Sequence, residues 1–143
     1  MGKVYDSIDD GWARWISAQV VFFVATAPAD PGTHVNLSPR GLDILRVLSP
    51  NRVAWLELTG SGVETIAHLK ADSRITLMFC VFEGLPDTLR LYGHGEVLEP
   101  GDEKFDQLRP HFSDLPDAGR TLCQRWPLLC SAAKAPRIVQ RAP

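Results

Sequence analysis

Between Leu89 and Val97 the side chains alternate. Leu89, Leu91 and Val97 fall on one face of an extended segment, and Arg90, Tyr92, His94 and Glu96 fall on the other. That two-residue period predicts a strand with one dry side and one polar side. Val20 to Ala27 is rich in β-branched and aromatic residues and stops at Pro28, which predicts a buried strand closed by the turn Pro28-Ala29-Asp30-Pro31-Gly32. Thr33 to Ser38 reads as the next strand, ended by Pro39 because proline brings no N–H to a ladder. Val53 to Leu58 resumes the strand pattern. Arg74 to Phe82 is a nearly unbroken apolar run that suits a central strand covered on both sides, with Glu83 to Asp87 as the following turn. Leu42 to Leu48 is apolar but short and bracketed by Pro39 and Pro50, so it reads as a connection with at most one helical turn.

Helical spacing recurs in three places. Ser7 and Asp10 form a capping box ahead of Trp12, Trp15 and Ile16, which predicts an amphipathic helix from Ile8 to Ala18. Val63, Ile66 and Leu69 predict a second over Val63 to Lys70. Pro100-Gly101-Asp102 opens an acidic segment with Phe105 and Leu108 turned inward and an end at Pro110. Strands outnumber helices, and most connections are too short for repeated right-handed crossovers. The expected fold class is therefore mainly β: an antiparallel barrel of Greek-key type with a few flanking helices, not a doubly wound sheet.

Composition narrows the function classes. A chain of 143 residues that is 45% hydrophobic supports one domain with a real core. A formal net charge of -2, with both signs interspersed, leaves no basic face or stripe for nucleic acid. The apolar stretch from Val20 to Ala27 is too short to span a bilayer, and no basic start with a long apolar core marks a signal peptide, so a soluble cytoplasmic protein is expected. Cys80, Cys123 and Cys130 show neither a disulfide framework nor metal-ligand spacing, and Cys80, inside an apolar run, reads as a buried and inert thiol. His34, His68, His94 and His111 are scattered, and no metal site is implied. His94 is the least ordinary of them, because Gly93 and Gly95 on either side would let a backbone or a ligand come near.

Two donor-rich turns carry the candidate chemistry. Asn36, Ser38 and Arg40 lie at the end of one strand; Thr59, Gly60, Ser61 and Thr65 lie between another strand and the start of a helix. A phosphate needs several convergent N–H and O–H donors and a cation, and a helix start adds unpaired N–H groups and partial positive charge. Arg40 and Arg46 are the first choices for the cation, with Arg52, Arg74 and Arg90 behind them. Taken singly, each turn is also explained by helix capping or by the ordinary preference of small polar residues for turns. Gly60-Ser61-Gly62 lacks the third glycine of a dinucleotide fingerprint, since Thr65 stands in its place, and no Gly-x-Ser-x-Gly elbow occurs. No catalytic residue is assigned.

Taken together, Trp15-Ile16, Phe22 to Pro28, His34 to Gly41, Thr59 to Leu69, Arg74 to Phe79 and Leu91 to Gly95 resemble the FMN-binding split-barrel proteins related to pyridoxamine 5'-phosphate oxidase. The resemblance implies a split β-barrel holding FMN between the two subunits of a homodimer. It implies that Asn36, Leu37, Ser38, Pro39 and Arg40 line the isoalloxazine ring and reach the phosphate, and that Thr59, Gly60, Ser61 and Thr65 hold the phosphate from the helix side. The implied activity is that of a flavin-dependent oxidoreductase acting on a small molecule, with a non-catalytic flavin or deazaflavin binding or sensing module as the alternative. The residues that would recognise pyridoxamine phosphate are not evident, and that activity is not carried over.

The resemblance runs from near the start of the chain to about residue 115, so residues 1–120 are expected to form the flavin-binding barrel and 121–143 a divergent tail. There Pro127 is expected to break any strand, at the cost of one barrel strand and an exposed sheet edge. A reading frame disrupted near residue 120 and a natural divergence are both open as its origin.

Overall fold

The computed structural model describes residues 3–57, 62–113 and 128–141. Eight strands occur among them: β1 (Lys3–Tyr5), β2 (Val21–Thr26), β3 (Asn36–Gly41), β4 (Leu45–Ser49), β5 (Arg52–Glu57), β6 (Arg74–Cys80), β7 (Thr88–Leu98) and β8 (Leu128–Arg141). Helices α1 (Asp10–Ser17), α2 (Val63–Ala71) and α3 (Glu103–Leu108) flank them, with a short 3-10 turn at Arg109–Phe112. The strands form one sheet in the order β3-β2-β6-β7-β8-β5-β4, with β1 added on β8. Their pairings are antiparallel. Phe22 near one end of that path and Leu45 at the other share a single core with Val24, Trp55, Leu77, Phe79, Leu89, Leu91 and Ile138. The sheet is thus an antiparallel barrel that stays split between β3 and β4, as the fold class expected from sequence requires.

Alternation builds this interior. Phe22, Val24 and Thr26 turn inward from β2 while Val21, Phe23 and Ala25 are only half-buried. Phe22 stacks on Phe79 with centroids 5.7 Å apart and meets Trp55 edge-on at 6.3 Å. Such aromatic pairs add to the burial of the rings themselves. A second, smaller core lies under α3, where Phe105, Leu108 and Phe112 pack with Ala54 and Leu98. That cluster explains why β7 changes face along its length: Leu89 and Leu91 serve the barrel interior, whereas Leu98 is covered by α3.

Several expectations are corrected. The N-cap of α1 is Asp9, whose carboxylate accepts the Trp12 N–H at 2.8 Å; Ile8 lies outside the helix, buried, with its N–H donated to the Pro50 carbonyl. β3 continues through Pro39 to Gly41, opposite Phe23 to Val21. As the terminal strand of the sheet, it tolerates a residue that cannot donate. Leu45–Ser49, read as a connection, is strand β4 and pairs with β5. A tight corner makes that possible: Leu42 and Asp43 both take the left-handed conformation, with φ of 67° and 54°. β6 is not covered on both sides, since its residues alternate between buried and half-buried positions, and Cys80 at its end is half-buried, not enclosed.

The largest correction concerns the tail. Leu128–Arg141 supplies β8, which lies between β7 and β5 and also carries β1, so the strand expected to be lost is present. Pro127 itself lies outside the described residues. Along β7 the register passes from Tyr92↔Arg137 to His94↔Ala133. Residues 134–136 therefore bulge out against Gly93, and Pro136 falls in the bulge, where no ladder N–H is required.

Candidate functional site

The period of β3 sorts its residues into two sets. Asn36 and Arg40 are buried and Ser38 is half-buried, whereas Leu37 and Pro39 are exposed on the other side. Antiparallel pairing sets Asn36 beside Thr26 of β2. Helix α2 brings Thr65 down onto the same place. The Asn36 amide donates from Nδ2 to Thr26 Oγ1 at 3.1 Å and to Thr65 Oγ1 at 2.9 Å. Ser38 Oγ donates to Asn36 Oδ1 at 2.7 Å, and Arg40 reaches Thr65 Oγ1 at 3.3 Å. His68, one helical turn beyond Thr65, sets its Nδ1 3.2 Å from Thr26 Oγ1. Two chain segments that are distant in sequence thus meet in one polar cluster within an apolar barrel.

Glu57, at the end of β5, completes the cluster and was not singled out in the sequence. Its carboxylate lies 2.7 Å from Arg40 Nε and accepts the Trp55 indole N–H at 3.0 Å; both charged side chains are almost wholly enclosed. It also rests against Gly62, the N-cap residue of α2. A Cβ at that position would come within 2.1 Å of Glu57 Cγ. A carboxylate between a guanidinium and a helix start has favourable electrostatics on both sides. The sequence signal for Glu57 was slight: one acid closing an otherwise apolar strand.

The structure unites Asn36, Ser38, Arg40 and Thr65 and directs Leu37 and Pro39 away from them. Thr59, Gly60 and Ser61 lie outside the described residues. Thr65 is fully enclosed, so it positions Asn36 and Arg40 and does not itself face solvent. Thr26, Glu57 and His68 are the members that the sequence reading missed. Among the other candidate cations, Arg46 holds the Asp43 carboxylate and lies over the Phe112 ring, at the α3 end of the barrel. Arg74 is engaged by Asp72.

The histidines divide in the same way. His34 is exposed and paired with Glu64. His94 meets Ser73 Oγ at 2.9 Å. The close approach allowed at Gly95 is used by Leu69 of α2, which a Cβ there would meet at 2.8 Å, so this glycine seats a helix on the sheet. No group of three or more metal-ligating side chains occurs among the described residues.

The cluster gathers a half-exposed hydroxyl at Ser38, an enclosed guanidinium paired with Glu57, and a helix whose N-cap offers no side-chain hydrogen bond. In the first turn of such a helix the N–H groups have no intrahelical partner. The sequence model of the family described as "Pyridoxamine 5'-phosphate oxidase" matches residues 8–120. The chain belongs to the pyridoxamine 5'-phosphate oxidase family. A curated member, the pyridoxamine 5'-phosphate oxidase family protein ustO of Aspergillus flavus, is 44% identical over 103 residues. That match takes in 71% of this chain and 41% of the relative, so the chain spans about two fifths of the relative's length.

Solved structures agree on the family's fold. HupZ of Group A Streptococcus (the H111A form) superposes with a TM-score of 0.68 at 18% identity, over 94% of this chain and 99% of that one. A FAD-binding protein of Mesorhizobium loti gives 0.63 at 14% identity, over 97% and 99%. A FMN-binding protein of Syntrophomonas wolfei gives 0.59 at 14% identity, over 92% and 82%. At these identities the likeness establishes the split barrel.

Proposed function

We propose that the chain binds a flavin, with FMN as the cofactor, and that its phosphate lies in the corner between β3 and the first turn of α2. In this reading the N–H groups at the start of α2, the guanidinium of Arg40 and the Ser38 hydroxyl, once its proton turns away from Asn36 Oδ1, receive the phosphate. Asn36 and Thr65 hold those donors in place. Val63, exposed at the start of α2, offers apolar surface to the ring, while Leu37 and Pro39, exposed on the opposite face of β3, offer it to the second subunit of a homodimer. Thr59, Gly60 and Ser61, which precede α2 in the sequence, are proposed to join the phosphate.

The observation that carries this reading is the convergence of Asn36, Ser38, Arg40 and Thr65 from two distant segments beside the start of α2. Family membership and the FMN- and FAD-binding names of two structural neighbours support it. The flavin supplies the redox chemistry when bound, so the protein need only orient it and keep one ring face open. That suits a chain to which no catalytic residue is assigned. The activity proposed is oxidation or reduction of a small molecule in the cytoplasm. Among the described residues, no helix is long and apolar enough to cross a membrane.

An absorbance titration of the purified chain with FMN tests this reading. Binding will shift and sharpen the visible flavin bands, and a nicotinamide donor will then bleach them until an acceptor restores the colour. A spectrum that stays that of free FMN at every protein concentration would contradict it. Bound flavin that no donor reduces would leave a binding or sensing module.

A further inference from the structure

The geometry points to Glu57 as a built-in competitor for the phosphate, a side chain that decides how strongly the corner favours a phosphorylated flavin over an unphosphorylated one. This inference rests on the flavin reading above for its ligand, but the slot itself is visible in the chain. Three observations place the Glu57 carboxylate in it. The charge is buried against Arg40, the cation an incoming phosphate would seek. Trp55 fixes the other carboxylate oxygen from the far side through its indole N–H. Gly62 supplies the room, and not for reasons of backbone conformation: its φ of -89° and ψ of -10° suit any residue. What the missing Cβ admits is Glu57, whose Oε1 would lie only 2.6 Å from it.

The consequence follows from charge. With Arg40 already neutralised by an enclosed carboxylate, a phosphate approaching the same guanidinium and helix start meets a like charge at short range in a partly dehydrated place. Phosphate and carboxylate therefore exclude one another. A phosphorylated ligand occupies the corner fully only when Glu57 has swung away, and the energy of that movement is subtracted from what the phosphate contributes.

The test compares FMN with riboflavin, which lacks the phosphate, by quenching of flavin fluorescence in wild type, Glu57→Gln and Gly62→Ala. Inorganic phosphate at constant ionic strength is added separately while the unfolding temperature is followed. Wild type is expected to bind the two flavins with similar affinity. In Glu57→Gln the preference for FMN rises about tenfold or more, as expected when a like charge is removed a few ångströms from the ligand. Gly62→Ala keeps the charge but forces the side chain out of the slot, so it moves the preference in the same direction. Inorganic phosphate stabilises both variants more than wild type.

A purely structural Glu57 would alter the binding of both flavins equally and leave their ratio unchanged. The inference is overturned if the ratio and the phosphate effect are unchanged in whichever variants fold. It is also overturned if wild type already prefers FMN by orders of magnitude. Should neither flavin bind while phosphate still stabilises the variants selectively, the flavin reading fails and the slot assignment stands.

Discussion

Arg40 is the residue on which site and framework meet. Its side chain is 3% exposed and that of Glu57 is 1% exposed, so the two charges are a buried pair joining β3 to β5. Removing one partner of such a pair leaves the other charged in a low-dielectric place. Arg40→Ala is therefore expected to lower stability by about 3–5 kcal/mol, read as an earlier midpoint in urea unfolding. The double change Arg40→Met with Glu57→Leu should recover most of that loss. An unchanged midpoint in Arg40→Ala would mean that the pair carries no structural weight. At this scale Asn36, Ser38, Arg40 and Thr65 were singled out in the sequence, because hydroxyls, an amide and a guanidinium close together at a strand end and around a helix start suggest convergent donors. Glu57 was not legible. A lone carboxylate at a strand end reads as solvated, and only the fold shows the arginine and the glycine that enclose it.

Among the elements, α2 matters most to the corner, and its far end is fixed by an exposed electrostatic clasp. Asp72, the C-cap residue, accepts the Arg74 backbone N–H at 3.0 Å and the Arg74 Nε at 2.8 Å. The side-chain hydrogen bond from Arg74 is the main reason that the Asp72 carboxyl ionises below its ordinary range, followed by the backbone N–H of the same residue. A carboxyl whose folded pKa lies below its unfolded one stabilises the fold at neutral pH, and that contribution is lost as the pH falls through the folded value. An NMR titration of the Asp72 carboxyl should show the depressed midpoint in wild type and a return toward the ordinary aspartate range in Arg74→Ala. The same midpoint in both would show that Arg74 is not its cause.

Elements were unevenly legible, for physical reasons. β7 shows a two-residue period over its first half, β2 and β5 are rich in apolar, β-branched and aromatic residues, and α2 follows a helical period, so all four were found nearly in place. β4 was missed because Pro39 and Pro50 seemed to confine it. Pro39 is absorbed by a terminal strand, and the left-handed pair Leu42 and Asp43 turns the chain back within a few residues. β8 was missed because Pro127 and a tail rich in Ala, Pro and Arg argue against a strand, whereas Pro127 lies outside the described residues and Pro136 falls in a bulge.

On the scale of the whole molecule, the barrel depends on contacts that join the ends of the chain. β8 pairs with β7, β5 and β1, and Tyr5 Oη donates to Gln140 at 2.8 Å. Fold class was legible without those contacts, since short strands, few helices and short connections leave few alternatives to an antiparallel barrel. The partners of each strand were not, because pairing between distant segments leaves no local period. The polar corner at β3 and α2 is one product of that long-range assembly, and its function is the central claim. The most direct measurement follows the amide signals of the nitrogen-15-labelled chain by NMR as FMN is added. The account predicts saturable shifts of the Asn36 side-chain amide, the Ser38 amide and the amides of Gly62 to Thr65. Shifts confined to other parts of the barrel, or none at any FMN concentration, would contradict it.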